Sequence, residues 1–361
     1  MKEIKKIIIA TGGTGGHVFP ALSLSSCLKK NFEVKLISDQ RGMRYFKNKE
    51  KIKIINTGTI FQKNLFKAIL NFCKIIYSTI KSFFYLKKIK PQIVFGMGGY
   101  SSFPVCAASY ILKIPIIIYE NNLVLGRTNR VLLPFAKRLL LSTKDIRGIK
   151  KKYEHKTFFS GYLLRDEIFG LKKNINFKSN KELSVLVMGG SQSAKIFGEK
   201  IPKIIIKCNN KNIKLRVYQQ CLENQMDEIK KIYTENQVSF KLFSFSEKLS
   251  DHYEATDIAI TRSGASSIAE LINLRIPFIA IPLPSAADNH QFENAFNFQK
   301  KGYCLLLDEK FINTKLFEIL EDLNNNREKL LLFKNKMNEH SDKDSVSKVG
   351  EFIKKYLDEK N

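Results

Sequence analysis

The stretch IIIATGGTGGHVFPAL, residues 7–22, decides the fold of this chain. Its first four residues form a short apolar run, and glycines occupy positions 12, 13, 15 and 16. The residues after His17 are compatible with a helix, so the stretch predicts a strand, a glycine turn and a helix N-terminus. Such a turn lets backbone N–H groups approach a ligand closely, and the helix dipole favours negative charge there. We therefore predict an anion-binding strand end.

The glycine spacing matches neither of the two common nucleotide motifs. No Gly-Lys-Ser/Thr closes the turn as in a P-loop, and the glycines miss the Gly-x-Gly-x-x-Gly pattern of dinucleotide-binding proteins. A dehydrogenase would also need an acidic residue about twenty positions on, and a kinase would need a phosphate-binding lysine. Hydride transfer and phosphoryl transfer are therefore disfavoured.

Length and composition predict two domains and a basic surface. The chain has 361 residues, 44% of them hydrophobic, which exceeds one ordinary core. Its formal net charge is +27, but the lysines are scattered along the whole sequence. This distribution favours a solvated basic surface, with attraction to an anionic membrane surface as the second interpretation and no nucleic acid as partner.

The six cysteines are widely spaced and contain no Cys-x-x-Cys pair, so we expect neither a disulfide framework nor a metal site. The apolar run before the first glycines is too short for a signal peptide or a membrane span. We expect a protein that stays inside the cell.

Further apolar runs end in glycine or polar turns, as in a β/α sequence. Residues 92–95 lead into GMGGYSSFP, residues 96–104, and residues 114–119 deliver Glu120, Asn121 and Asn122 to a strand end. Ligands of doubly wound sheets bind at the carboxyl ends of the strands. These turns therefore predict a ligand-binding site at the carboxyl ends of the strands of one sheet.

Residues 65–86 form the longest apolar stretch, in which Lys67, Lys74 and Lys81 recur every seven positions. On a helix they form one narrow polar stripe, and the remaining apolar face is broad. We predict an amphipathic helix that packs on the sheet, or one that also contacts a lipid surface. The apolar positions are Phe66, Ile69, Phe72, Ile76, Ile80, Phe83 and Phe84.

The β/α pattern restarts after a polar segment. SVLVMGGSQSA, residues 184–194, repeats the order of an apolar strand, paired glycines and a helix, and TRSGASSIAEL, residues 261–271, does so again. We predict an α/β chain of two Rossmann-like, doubly wound domains that face each other across a cleft. The first comprises residues 1–161, joined by a C-terminal helix at 345–361, and the second residues 162–344.

Glycosyl transfer from a nucleotide sugar fits two such domains best, with no cofactor. Metal-dependent enzymes of this kind usually carry Asp-x-Asp, and the only such spacing, Asp342-Lys343-Asp344, is more typical of a solvated helix start than of a metal site. The diphosphate charge must then be met by N–H groups and helix dipoles, which the turns at residues 189–194 and 263–267 can supply.

Two residues have both a structural and a functional interpretation. Ser267 and Glu270 have the spacing of a capping box, yet Glu270 can also accept both ribose hydroxyls of a nucleotide. His17 either marks a helix start or is a general base. The local pattern leaves both alternatives open.

Five motifs together resemble the MurG family of glycosyltransferase family 28. They are GGTGGH with PAL at residues 12–22, GGYS with Pro104 at 98–104, GGSQ at 189–192, RSGA with Glu270 at 262–270, and DNHQ with Asn294 and Ala295 at 288–295. The match covers nearly the whole chain in order. Three segments depart from the family pattern: Tyr119 and Asn121 replace its usual His and Gln, Ser193 replaces a Gly, and GYLLR, residues 161–165, replaces Gly-Asn-Pro-Val-Arg.

The resemblance implies a GT-B fold and an inverting transfer of N-acetylglucosamine from UDP-N-acetylglucosamine to the 4-hydroxyl of lipid I, undecaprenyl-diphospho-N-acetylmuramoyl-pentapeptide. The products would be lipid II and UDP, at the cytoplasmic face of the inner membrane. We favour His17 as the general base, because it lies at the acceptor-side glycine loop. The implied acceptor and diphosphate loop comprises Gly13, Gly98, Gly99, Tyr100 and Ser101. The implied donor site comprises Thr14, Gly15, Gly16, Asn122, Arg165, Ser191, Ser246, Ala265, Ser266, Ser267, Ile268, Ala269, Glu270 and Gln291. The alternatives are a related transferase that glycosylates diacylglycerol and a non-catalytic protein that binds sugar nucleotides.

Overall fold

The computed structural model describes residues 4–47, 49–58, 65–171, 182–244 and 249–359. The chain divides into two units. Unit 1 comprises Met1–Asp166 and Asp342–Asn361, and unit 2 comprises Glu167–Ser341. The chain thus passes between the units after Asp166 and after Ser341, a few residues from the positions expected from the sequence.

Unit 1 is built on a seven-stranded parallel sheet in the order β3-β2-β1-β4-β5-β6-β7. Its strands are β1 (Lys6–Ala10), β2 (Glu33–Ser38), β3 (Ile52–Ile54), β4 (Ile93–Gly96), β5 (Ile116–Glu120), β6 (Arg138–Leu141) and β7 (Thr157–Phe159). Its helices are α1 (Gly15–Leu28), α2 (Leu65–Ile89), α3 (Phe103–Ile111) and α4 (Arg127–Leu132), together with α13 (Ser345–Asp358), which packs on α1.

The apolar run of the opening stretch is buried on both faces of this sheet. Ile7 and Ile9 pack in a core cluster with residues of α1 and α13, and Ile8 and Ala10 pack in another with residues of α3. A strand covered on both sides has no solvent face, which is why its residues are continuously apolar rather than alternating. β1 lies between β2 and β4, where the strand order reverses.

Unit 2 is built on a six-stranded parallel sheet in the order β10-β9-β8-β11-β12-β13. The strands are β8 (Leu183–Met188), β9 (Leu215–Gln220), β10 (Ser239–Phe243), β11 (Ile258–Thr261), β12 (Phe278–Ala280) and β13 (Cys304–Leu306). The helices are α5 (Asp166–Gly170), which spans the first boundary, α6 (Gly190–Asn210), α7 (Met226–Glu235), α8 (Leu249–Glu254), α9 (Ala265–Asn273), α10 (His290–Lys300), α11 (Ile312–Asn325) and α12 (Glu328–Met337).

Both sheets therefore have the predicted doubly wound topology. In unit 1 the order reverses between β1 and β4, and in unit 2 between β8 and β11. Ligands of such sheets bind outside the carboxyl ends of the strands at this reversal. The loops that follow these four strands are four of the glycine turns that the sequence singled out.

Helix α2 is present, but most of its apolar face does not pack on the sheet. Phe66, Phe72 and Phe84 are 70%, 63% and 65% exposed, whereas Ser78 and Ser82 are buried. Phe83 is the exception among the expected apolar positions, because it packs against the core beneath the helix. The prediction that the apolar face packs on the sheet is therefore wrong for most of this face. Beneath the helix, the Ser78 hydroxyl contacts the Asn56 carbonyl, and Leu86 and Phe83 pack in the apolar core of unit 1. The Ser82 hydroxyl donates to the Ser78 carbonyl within the helix itself.

Candidate functional site

The first glycine loop, residues 11–16, joins β1 to α1 and is tied together by Asp39. The Oδ1 atom of Asp39 accepts the N–H groups of Gly13 at 2.7 Å and of Gly42 at 2.9 Å. A Cβ atom on Gly12 would lie 2.5 Å from the same oxygen. The glycine at position 12 is therefore required by the protein's own Asp39. Asp39 directly follows β2, so its position at a strand end is the signal that could have identified it from the sequence.

In the same loop, the side-chain position of Gly13 is open, whereas that of Gly15 is filled by the protein. A Cβ on Gly13 would meet one neighbour within 4 Å, the Nη2 atom of Arg41 at 3.8 Å, whereas one on Gly15 would lie 2.8 Å from the Phe19 ring. The Gly13 N–H is taken by Asp39, and the Thr14 N–H donates to the Gly12 carbonyl at 3.1 Å. Thr14 is the N-cap of α1, and Gly15 and Gly16 form its first turn. The positive end of α1 and the Arg41 guanidinium, which sequence reasoning missed, are thus adjacent.

His17 lies against the second glycine loop. Its Nδ1 is 3.0 Å from the carbonyl oxygen of Met97. Because a carbonyl can only accept, Nδ1 carries the proton, and the Nε2 of the neutral ring is the hydrogen-bond acceptor. That is the tautomer that a general base requires.

Gly98 and Gly99 make room for this imidazole. Their φ angles are +83° and +71°, and a Cβ on either residue would lie 3.1 Å from the His17 ring. Ser101 is also buried, and a Cβ on Gly12 would lie 2.7 Å from its Oγ. Tyr100 begins the short 3-10 helix Tyr100–Ser102 that precedes α3. The second loop thus supports the first loop and its histidine.

The end of β5 is organised by a buried carboxylate. Glu120 accepts the backbone N–H of Asn122 at 3.0 Å and that of Gly126 at 2.8 Å, and Asn129 donates to it at 2.9 Å. The Asn122 amide nitrogen also lies 3.3 Å from Glu120 Oε1. Glu120 therefore fixes the orientation of Asn122, one of the expected donor residues.

The family departures at Tyr119 and Asn121 form one hydrogen-bonded pair. The Tyr119 hydroxyl donates to Asn121 Oδ1 at 3.0 Å, and the Asn121 amide donates to the Gly16 carbonyl at 3.2 Å. The Leu163 N–H donates to the same hydroxyl at 3.3 Å. The two replacements therefore support the first glycine loop jointly.

Two residues near the boundary of unit 1 have specific contacts. The Arg165 guanidinium lies 4.9 Å above the Phe19 ring of α1. Asp342 is buried, and its Oδ1 accepts the Tyr162 N–H at 3.0 Å. The expectation that Asp342 belongs to a solvated helix start is therefore wrong, because its carboxylate holds the linker segment. Among the described residues, no group of three or more His, Cys, Asp or Glu side chains could hold a metal ion.

In unit 2 the loop after β11 leads into α9, whose N-cap is Gly264. Ala265, Ser266 and Ser267 form its first turn, where N–H groups have no intrahelical acceptor. Ile268 and Ala269 are fully buried in the core, so their side chains do not line a binding surface. The capping-box interpretation is wrong, because Ser267 lies inside the helix and not at its N-cap.

Glu270 is almost fully buried and its Oε2 accepts a hydrogen bond of 2.6 Å from the Tyr253 hydroxyl. Tyr253 belongs to α8 and was not singled out from the sequence. The residues between them include β11, so no local spacing indicates this pair. Glu270 thus lies one turn into a helix whose positive end follows the strand-order reversal.

Gln291 and Asn294, both on α10, hold the loop before α9. The Gln291 Oε1 accepts the N–H groups of Ser263 at 3.2 Å and Leu283 at 3.0 Å, and Asn294 donates to the Ser263 carbonyl at 3.0 Å. With its oxygen engaged by two donors, the Gln291 side chain has its amide N–H groups as the remaining polar function. Asp288 and Asn289, at φ values of 51° and 54°, form the turn that precedes this helix.

Arg262, the first residue of the RSGA motif, is structural here. Its Nη1 donates to the carbonyls of Ile281 at 3.2 Å and Pro282 at 3.1 Å, and its Nη2 contacts Glu309. Burial lowers the pKa of the guanidinium, and Glu309 opposes that shift. Ser191 lies in the first turn of α6, but its side chain and all of Ser246 are outside the described residues.

Two doubly wound parallel sheets, each with polar and glycine turns at its reversal, are the domain architecture of the GT-B fold. The family models described as glycosyltransferase family 28 N-terminal domain and C-terminal domain match residues 7–141 and 184–349. The chain belongs to glycosyltransferase family 28.

Curated relatives and solved structures agree with this family. A UDP-N-acetylglucosamine--N-acetylmuramyl-(pentapeptide) pyrophosphoryl-undecaprenol N-acetylglucosamine transferase of Pelagibacter ubique is 38% identical over 335 residues, 92% of this chain and 93% of the relative. The protein of the same name from Rickettsia bellii is 34% identical over 88% of this chain and 92% of its own length. The crystal structure of Acinetobacter baumannii MurG matches with a TM-score of 0.74 and 26% identity, over 97% of this chain and 99% of that one.

Proposed function

We propose that this chain transfers N-acetylglucosamine from UDP-N-acetylglucosamine to the 4-hydroxyl of the N-acetylmuramoyl sugar of lipid I, with inversion at the donor C1. The products are lipid II and UDP. The observation that carries the proposal is the bond between His17 Nδ1 and the Met97 carbonyl, at 3.0 Å, which leaves Nε2 as the basic nitrogen. His17 lies in the first turn of α1, directly after the loop at the strand-order reversal of unit 1, in a chain related over most of its length to transferases named for this reaction.

Unit 2 binds the donor in this proposal. The first turn of α9 meets the diphosphate with N–H groups and a positive dipole end, which is worth about 0.3–2 kcal/mol. Glu270 accepts hydrogen bonds from the ribose hydroxyls, and the Gln291 amide donates to a sugar hydroxyl. The buried Ser263 hydroxyl, which has no hydrogen-bond partner among the described residues, lies at the same loop.

Unit 1 binds the acceptor and supplies the base. The Arg41 guanidinium beside Gly13, together with the N-terminus of α1, attracts the acceptor diphosphate. His17 Nε2 takes the proton of the 4-hydroxyl as that oxygen bonds to the donor C1. The bond from C1 to the diphosphate oxygen breaks at the same time, and UDP leaves with the electron pair. The first turn of α9 stabilises the negative charge that develops on the leaving diphosphate, which lowers the barrier without protonation of the nucleotide.

We also propose that α2 lies on an anionic membrane surface at the cytoplasmic face. Its exposed apolar face is flanked by the exposed lysines Lys67, Lys74 and Lys81. Apolar burial and attraction of basic residues to anionic lipids act together in such helices. Within the described residues, no helix is both long and apolar enough to cross a membrane.

A turnover assay with defined acceptors tests the proposed reaction. The purified protein is supplied with radiolabelled UDP-N-acetylglucosamine and either lipid I or diacylglycerol in detergent micelles. We expect label in the lipid I product and stoichiometric release of UDP. Label in diacylglycerol alone would identify the related glycolipid transferase, and no release of UDP with either acceptor would contradict an enzymatic role.

A further inference from the structure

The hydrogen bond between Tyr253 and Glu270 joins two elements of unit 2 at the expected nucleotide site. Tyr253 on α8 is 1% exposed and Glu270 on α9 is 5% exposed. The hydroxyl oxygen lies 2.6 Å from Oε2, a short distance typical of an O–H donor on an ionised carboxylate. The hydroxyl donates, because an ionised carboxylate can only accept.

This bond has a directional consequence for the carboxylate. A carboxylate has two oxygens and about four lone-pair positions, and the tyrosine occupies one of those on Oε2. The hydroxyl is a neutral donor, and its bond holds the carboxylate in one orientation. A carboxylate held in one orientation can accept hydrogen bonds from two neighbouring hydroxyl groups.

We propose that Tyr253 is a positioning residue that orients Glu270 toward the 2′- and 3′-hydroxyls of the donor ribose, so that the site selects ribonucleotides over 2′-deoxyribonucleotides. The inference rests on the proposed function of unit 2 as the UDP-binding unit. It adds a residue outside the family motifs and a specificity that these motifs do not state. A site built to bind a hydroxyl rejects the analogue without it, because its buried polar group is then left unpaired.

A matched pair of variants separates positioning from general stability. Tyr253→Phe removes only the hydroxyl that contacts Glu270. Tyr233→Phe removes a comparable buried hydroxyl of the same unit, which donates to Gln219 Oε1 at 2.5 Å within the core beneath β9. Affinities for UDP and 2′-deoxy-UDP are measured by calorimetry on the full chain, and thermal unfolding checks that each variant is folded.

We expect the wild type to bind UDP at least about tenfold more tightly than 2′-deoxy-UDP, the scale of one hydrogen bond to a charged group. Tyr253→Phe should weaken UDP binding about tenfold and 2′-deoxy-UDP binding much less, so the preference shrinks. Tyr233→Phe should keep the preference. An unchanged preference in Tyr253→Phe, or an equal loss for both nucleotides, would overturn the inference.

A double-mutant comparison tests whether Tyr253 acts through Glu270. Glu270→Gln alone should also reduce the ribose preference, and adding Tyr253→Phe should reduce it no further, because Tyr253 acts through Glu270. Additive losses would contradict this route. A wild type that binds no UDP would overturn the proposed function itself, whereas one that binds both nucleotides equally would overturn only the selection of ribose.

Discussion

His17 and the glycines behind it show how separate motifs form one feature. The imidazole rests where Gly98 and Gly99 have no side chains, and its Nδ1 proton is held by Met97. These positions are 80 residues apart in the sequence. Two glycine-rich motifs that look alike therefore have different tasks, since one forms a helix start and the other makes room for the base.

Gly98→Ala tests whether this arrangement sets the activity. The new methyl group would lie 3.1 Å from the His17 ring at a φ of +83°. We expect kcat with lipid I to fall at least tenfold and the free energy of unfolding to fall by about 1–2 kcal/mol, the cost of a left-handed alanine.

Gly148→Ala is the matched control for this strain. Its φ is +87°, but the nearest atom to its Cβ is 3.6 Å away, an ordinary contact with Leu125. We expect a similar loss of stability and an unchanged kcat. Equal losses of kcat in both variants would show that backbone strain, not displacement of His17, sets the rate.

The replacements at Tyr119 and Asn121 show that a family departure can be compensated locally. Burial raises the pKa of Tyr119 well above its ordinary value, so the hydroxyl stays protonated and donates to Asn121. Asn121 in turn holds the Gly16 carbonyl. Tyr119 and Asn121 together therefore support the first glycine loop.

Among the elements, α2 departs most from what a packed helix requires. A helix normally buries its apolar stripe, yet this one buries small polar residues and exposes aromatic ones. A contiguous exposed apolar surface of this kind marks an interaction site. Its position among lysines favours an anionic lipid surface over a protein partner.

The double variant Phe72→Ser with Phe84→Ser tests membrane contact by α2. Each phenylalanine is worth about 1.5–3 kcal/mol when buried, so we expect binding to vesicles of phosphatidylcholine and phosphatidylglycerol to weaken at least tenfold. Sedimentation with vesicles measures it at low and high salt. Leu332→Ser on α12, where the side chain is 64% exposed, is the control and should bind normally. Unchanged binding by the double variant would exclude α2 as the contact.

Helix α8 contains a second buried group next to Tyr253. His252 stacks on Phe243 with ring centroids 4.3 Å apart, and burial lowers the pKa of its imidazole below the ordinary 6.5. The unfolded chain therefore binds the proton at higher pH than the folded one. Stability from His252 is present above about pH 6.5 and is lost as the pH falls below it.

His252→Phe should remove this pH dependence while keeping the stacking. We expect the loss of unfolding free energy between pH 7.5 and pH 5.5 to be smaller in His252→Phe than in the wild type. Urea unfolding of the full chain measures it. His155→Phe changes an exposed histidine of unit 1 and should follow the wild type. The same pH dependence in all three proteins would show that His252 is not buried in its neutral form.

At the scale of the whole molecule, the sequence predicts the sheets well and the site in part. Continuous apolar runs that end in glycine turns predict buried parallel strands, because such strands have no solvent face. The repeated order of an apolar strand, a glycine turn and a helix also predicts where the helices begin and where the strand order reverses. For this reason the sequence predicts the loops at Gly13, Gly98 and Ala265. The resemblance implies Ile268 and Ala269 as part of the range from Ala265 to Glu270, but their side chains are buried in the core.

The remaining features depend on contacts that no local pattern contains. Asp39 fills the space at Gly12, and Tyr253 directly contacts Glu270, although β11 separates the two residues in the sequence. The periodicity of the apolar residues of α2 does not predict its buried side, where Ser78 and Ser82 lie together with Leu86. Tertiary contacts therefore decide which glycines are open to a ligand and which are filled by the protein.

In the proposed reaction, unit 2 binds UDP and unit 1 supplies the base. Calorimetric titration of UDP into the wild type, Glu270→Ala and His17→Gln tests it most directly, with each variant's turnover recorded on the same preparation. We predict that Glu270→Ala weakens UDP binding at least tenfold, whereas His17→Gln binds UDP as the wild type does but loses turnover. Unchanged UDP affinity in Glu270→Ala, or near-normal turnover in His17→Gln, would contradict this division between the two units.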